Sequence, residues 1–117
     1  MLAEFHLDGL PPTINHYYLR TGRTIFRKAE ARAWQKAAEA AIMSIWGNRP
    51  AYAGIVKLRI IFEVRTRRKW DMDNRIKPLQ DCLEHAGVIV NDNQVEMLHV
   101  ERRKGNADMT HVFLEDY

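Results

Sequence analysis

Cysteine is almost missing from this 117-residue chain: Cys82 is the only one. An intramolecular disulfide is therefore excluded, and so is a cysteine-based zinc cluster within one chain. No apolar run approaches the roughly 20 residues that span a bilayer. The N-terminus lacks a basic region leading into a long apolar stretch, so neither a membrane span nor a secretory signal is expected. A reducing, cytoplasmic location follows as the expectation. The six glycines never gather into a phosphate-cradling loop, which leaves a nucleotide cofactor without support. Internal repeats, low-complexity segments and linkers are lacking too, so residues 1–117 read as one domain around one core.

What is present is an ordinary globular balance, 46% hydrophobic and 28% charged, rather than a disordered one. Eighteen Lys and Arg against fifteen Asp and Glu give a net charge of +3. The distribution says more than the sum. Arg65, Arg67, Arg68 and Lys69 put four cations into five residues; Arg20, Arg23, Arg27 and Lys28 form a second group, and Arg102, Arg103 and Lys104 a third. Clustered cations are what phosphate-backbone binding requires. They also suit three solvated surface loops.

Residues 1–7 read as a short strand, ended by Asp8, Gly9 and the pair Pro11-Pro12. Residues 13–27 read as irregular, with a hairpin near Thr21-Gly22. Over residues 28–46 apolar side chains recur at spacings of three and four (Ala33, Trp34, Ala37, Ala38, Ala41, Ile42, Ile45, Trp46), which predicts a helix stopped by Gly47 and Pro50. Its two tryptophans read as core cover. Residues 55–65 alternate, with Val56, Leu58, Ile60, Phe62 and Val64 on one face, as a half-buried strand does. A second helix is expected over residues 74–86, its start set by Pro78, which only a first turn tolerates, and its end by Gly87. Residues 88–90 form a short extended run and Asn91-Asp92-Asn93 a turn. Strands over 94–102 and 109–115, joined by a turn at 103–108, are close enough to form a hairpin. The order is β-α-β-α-β-β, an α/β (α+β-like) domain with one mixed sheet packed with two helices.

The chemistry concentrates in Arg67-Arg68-Lys69-Trp70-Asp71-Met72-Asp73-Asn74-Arg75-Ile76-Lys77. Here a cationic run gives way to two carboxylates two residues apart. In an extended segment they share a face with Cα atoms about 6.5 Å apart, a spacing at which both can serve one divalent cation. Lys77 lies one helical turn beyond Asp73. Asp73 or Asn74 is equally suited to capping the second helix. Asp92 is a third carboxylate, which a helix-turn-strand return can bring back beside the first two; taken alone it also reads as a turn residue. Carboxylates hold Mg²⁺ with waters completing the octahedron, and a lysine can stabilise or protonate a leaving oxygen.

Asp71-x-Asp73-Asn74-x-x-Lys77, a helix, then Asp92-x-Gln94-Val95 resembles the RusA family of Holliday junction resolvases. Pro11-Pro12-x-x-Asn15-x-Tyr17-Tyr18, followed by an arginine-rich turn and a helix, resembles the same family, and the likeness covers nearly the whole chain. It implies a small α/β homodimer in a bacterial or bacteriophage-infected cell. It implies Mg²⁺-dependent phosphodiester hydrolysis, with Mn²⁺ a plausible substitute, placing paired symmetric nicks in four-way DNA junctions during recombination and repair. Asp71, Asp73 and Asp92 match the metal-site aspartates and Lys77 the catalytic lysine. Arg67, Arg68 and Lys69 match the DNA-contacting run, with Arg75, Arg23 and Arg27 as further candidate contacts; Asn15, Tyr17 and Asn74 are candidates for supporting the site. The chain departs from the pattern at Asn91, where an acidic residue can stand, and Pro78 stiffens the helix just after Lys77.

Two other readings stand beside this one. A non-catalytic, structure-selective DNA-binding protein would use the same basic runs, with the aspartates capping a helix. A metal-dependent enzyme acting on a small phosphate ester would use the carboxylates without the junction. His6, His16, His85, His99 and His111 are scattered through the sequence. Cys82 and His85 are spaced i, i+3 but supply only two zinc ligands, so Cys82 reads as core and His85 as surface.

Overall fold

A computed structural model of the chain describes residues 1–13, 22–66 and 72–117, with side chains from residue 29 onward in the first helix. The elements run β1 (Ala3–Asp8), α1 (Gly22–Trp46), β2 (Val56–Val64), a 3-10 turn (Asp73–Arg75), α2 (Ile76–His85), a second 3-10 turn (Asp92–Gln94), β3 (Val95–Lys104) and β4 (Met109–Asp116). The four strands form one mixed sheet in the order β1-β4-β2-β3. The β-α-β-α-β-β order, the single sheet and the two helices agree with the sequence reading. Among the described residues no helix is long and apolar enough to cross a membrane.

β2 sits between β4 and β3, and its burial alternates except at Ile61, which is buried too. Val56, Leu58, Ile60 and Phe62 are all fully buried. They meet Phe5 and Leu7 of β1, Val112 and Leu114 of β4, Ile42 and Trp46 of α1, and Leu79, Cys82 and Leu83 of α2 in one core. Burying each large side chain contributes roughly 1.5–3 kcal/mol. β3 lies at the sheet edge and is exposed along most of its length. Its Glu96, Glu101, Arg102, Arg103 and Lys104 supply the charges that blunt an open edge against pairing with another chain. Trp46 is buried and Trp34 packs on the core margin, as read from the sequence.

Two expectations are corrected. The first helix begins at Gly22, not residue 28, so the reading of residues 22–27 as irregular fails. Gly22, Thr24 and Ile25 have poor intrinsic helix propensity, and the long alanine-rich helix that follows carries the segment with it. The expected hairpin between the last two strands is absent as well. β3 pairs in parallel with β2, and β4 pairs antiparallel with β2 on its other side. Returning parallel to β2 needs a crossover, which α2 supplies. β4 must then pass over the end of β2 to reach its place. Gly105 makes that crossing, its amide donating to the Val64 carbonyl at 2.9 Å. A Cβ at this position would overlap the Glu63 side chain, which would have to move aside.

α2 ends as a Schellman motif. Gly87 adopts φ 78°, its amide donates to Glu84 O at 3.0 Å, and the Val88 amide reaches Leu83 O at 3.0 Å. This turns the chain toward residues 88–90, where Ile89 bridges to Tyr52. The segment leaving β1 is fixed too. Trp34 Nε1 donates to Asp8 O at 3.0 Å, and the buried Thr110 hydroxyl donates to Gly9 O at 2.9 Å.

Candidate active site

Lys77, Asp81 and Glu84 stand at i, i+4 and i+7 on α2, which places them on one face of the helix. The turn carrying Asp92 docks on that face through two contacts. The Asp92 backbone amide donates to Glu84 Oε1 at 2.6 Å. Its carboxylate Oδ2 accepts from Lys77 Nζ at 2.7 Å. Lys77 Nζ is also 2.9 Å from Asp81 Oδ1, so one ammonium bridges two carboxylates. The hydrogen bond to Asp92 first, then that to Asp81, hold the lysine above its usual pKa, so it is charged throughout the neutral range. The bridge is half-exposed, so its value is positional more than energetic.

The Asp92 turn is held in shape by Gln94. Gln94 Oε1 accepts from the Val90 and Asn91 amides at 2.8 and 2.9 Å. Its Nε2 donates to the carbonyls of Tyr52 and Gly54 at 2.7 and 2.8 Å. All four bonds of a side-chain amide are thereby satisfied. Asn91 Oδ1 accepts from the Asn93 amide at 2.9 Å, completing a capping box with Gln94. Asn91 thus acts as the turn residue read from the sequence.

Asp73 is exposed and opens the 3-10 turn that feeds α2. The capping alternative fails. The 3-10 turn and α2 are preceded by Met72 and Arg75, and neither makes a side-chain cap bond. Asn74 is half-buried in the same turn. Arg75, read as a candidate DNA contact, is half-buried and donates from Nη1 to the Pro11 carbonyl at 2.5 Å. That bond ties Pro11 to the start of α2. Asp71, Arg67, Arg68, Lys69, Asn15 and Tyr17 lie outside the described residues, as do the side chains of Arg23 and Arg27. The sequence reading therefore has Lys77 and Asp92 brought together. It missed Asp81 and Glu84, whose signal was their spacing from Lys77, and the bonding role of Gln94.

Asp73 and Asp92 carry hard oxygen donors of the type a divalent cation takes. Asp92 and Asp73 offer acceptor-only carboxylate oxygens, and the Asp92 carboxylate already meets a cation in the Lys77 ammonium. Among the described residues no three His, Cys, Asp or Glu side chains converge as a metal cluster. The scattered histidines are less scattered in space. His6 and His111 pair across β1 and β4 with Nδ1 atoms 2.7 Å apart, and His111 Nε2 lies 3.0 Å from Glu63 Oε1. His85 faces Glu39 at 3.0 Å, and Cys82 is buried, so the two do not form a ligand pair.

Comparison with known proteins gives the same direction. The family profile described as Endodeoxyribonuclease RusA matches residues 8–115. A crossover junction endodeoxyribonuclease RusA from Aquifex aeolicus (strain VF5) is 32% identical over 106 residues, covering 86% of this chain and 79% of that protein. A crossover junction endodeoxyribonuclease rusA from Enterobacteria phage HK97 is 27% identical over 92 residues, covering 79% and 76%.

Proposed function

This chain belongs to the RusA family of endodeoxyribonucleases, and from that premise we propose that it resolves four-way DNA junctions by hydrolysing phosphodiester bonds. In this reading it places paired symmetric nicks as a homodimer, with Mg²⁺ held by Asp71, Asp73 and Asp92, in recombination and repair. The observation that carries it is the 2.7 Å contact between Lys77 and Asp92. It joins the two separated halves of the motif on one stretch of surface.

The metal, when bound, supplies Lewis-acid stabilisation of the scissile phosphate and a nucleophilic water near neutral pH. The protein's own groups do the rest. Lys77 presents an ammonium that is charged at neutral pH and can neutralise, or give its proton to, the departing oxygen. Gln94 and Glu84 fix the backbone of the Asp92 turn, so its carboxylate is oriented before substrate arrives. Asn15 and Tyr17 follow Pro11, which Arg75 binds, and are assigned a supporting role on the family motif alone. Arg67, Arg68 and Lys69, separated from Asp71 by Trp70 alone, hold the phosphate backbone without reading sequence. A four-way junction has approximate twofold symmetry, and a twofold dimer presents two such sites to two strands.

The test is incubation with a labelled four-way junction and a linear duplex, with Mg²⁺ or with EDTA. Symmetric, metal-dependent nicking of the junction is expected. Asp71→Asn should abolish nicking and leave junction binding intact, since it removes no DNA-contacting cation. Binding without cleavage under every metal condition would instead select a structure-selective binding protein.

A further inference from the structure

Asp81 is not among the residues that the family motif supplied, yet it shares the Lys77 ammonium with Asp92. The two contacts are nearly equal, 2.9 Å to Asp81 and 2.7 Å to Asp92. They differ in what each carboxylate rides on. Asp81 is on the same helix as Lys77, one turn away, so its spacing to the lysine is set by α2 alone. Asp92 arrives on a separate turn, held by Glu84 and Gln94. The Lys77–Asp81 pair therefore survives any change at Asp92, whereas the Lys77–Asp92 pair does not.

This matters because a cation is already on the Asp92 oxygen. A divalent metal that takes Asp92 as a ligand competes with the lysine for the same carboxylate. We propose that Asp81 is a positioning residue that holds Lys77 beside the site while Asp92 exchanges the ammonium for the metal, and that it eases this exchange by giving the ammonium a second partner. Without Asp81 the ammonium has Asp92 as its one carboxylate in this bridge. The metal must then break that pair outright, and a lysine released from it has a long, unrestrained stem.

This inference rests on the assignment of Asp92 and Lys77 to the active site. Its test is a cycle of four proteins, with Asp81→Asn and Lys77→Met made singly and together, read by Mn²⁺ binding in the absence of DNA. In the wild-type background Asp81→Asn should weaken Mn²⁺ binding about five-fold, and in the Lys77→Met background by less than about two-fold. Equal losses in both backgrounds would mean that Asp81 acts on the metal only as a negative charge, and would overturn the proposal. Failure of the wild-type protein to bind Mn²⁺ at all would instead overturn the site assignment beneath it. Junction cleavage gives the second readout. Asp81→Asn should lower kcat with KM unchanged, and Asp81→Glu, which still reaches Lys77 at i+4, should restore it. No rescue by glutamate would count against the positioning role.

Discussion

Cys82 shows how much one residue's setting decides. Its side chain is buried in the core under α2, and burial, aided by the Glu39 and Asp81 carboxylates, pushes its thiol up to about 12. An unfolded thiol ionises near pH 8.5. The folded-state pKa is thus raised, so this group's contribution is complete below about pH 8.5 and is lost as the pH climbs toward 12. Within that window it should lower stability by up to about 1.4 kcal/mol per pH unit. Urea denaturation at a series of alkaline pH values should show this slope in the wild type and its loss in Cys82→Ala. Equal slopes in the two proteins would mean that the thiol ionises in the native state. The native protein should also resist alkylation at pH 8 while the unfolded chain reacts. The core assignment of Cys82 was legible because a single cysteine on an apolar helical stripe has little else to be. Asp81 and Glu84 beside it were equally visible as spacing. The partner of Glu84 comes from the Asp92 turn, however, as does the second carboxylate on Lys77, and helical periodicity carries no information about that turn.

Among the elements, the Asp92 turn depends most on one side chain. Gln94→Ala removes four hydrogen bonds at once, and at roughly 1 kcal/mol net for each the loss should be about 2–4 kcal/mol. Gln94→Glu keeps the acceptor that meets the Val90 and Asn91 amides. It also points an oxygen at the Tyr52 and Gly54 carbonyls, where a donor is needed. It should therefore fail to restore either stability or cleavage, as measured by urea denaturation and junction nicking. A glutamate variant as stable as the wild type would show that the two Nε2 bonds contribute little. The elements themselves were largely legible. β2 alternates without interruption on its buried face, and α2 carries its own stop at Gly87. Strand neighbours were not legible. Alternation reports which faces are buried, and β3 and β4 lie close in sequence with a turn between them, which argues for a hairpin. The competing fact is that β2 is buried on its whole inner face and takes the centre, leaving β3 and β4 on opposite sides of it. The start of α1 at Gly22 was hidden for a different reason, since propensity is a local signal and the helix is carried there from its downstream turns.

For the whole molecule, charge placement matters more than the net +3. Arg67, Arg68 and Lys69 stand one residue before the acidic motif in the sequence. Removing one phosphate-binding cation flattens the dependence of log K on log salt by about 0.9 on duplex arms. Changing all three to Ala should weaken junction binding and reduce that slope by roughly two to three for each protomer of the dimer that contacts DNA, measured by fluorescence anisotropy across a salt series. An unchanged slope would reject this run as the DNA surface. Arg75, in contrast, is tied to Pro11 inside the molecule. Not every arginine near the motif is therefore presented to a phosphate in the same way.

The seat of β1 has a consequence for how the protein is made. Its one neighbour in the sheet is β4, with Phe5 opposite Val112 and Leu7 opposite Thr110. β1 thus waits for a strand made after β2 and β3. Until residues 109–116 emerge, β2 and β3 can meet through α2, but Phe5 and Leu7 have no strand to lie against. Closure across so long a loop slows folding and lengthens the time that apolar surface is open to other chains. During synthesis Phe5 and Leu7 are therefore apolar surface that a chaperone can cover until β4 emerges.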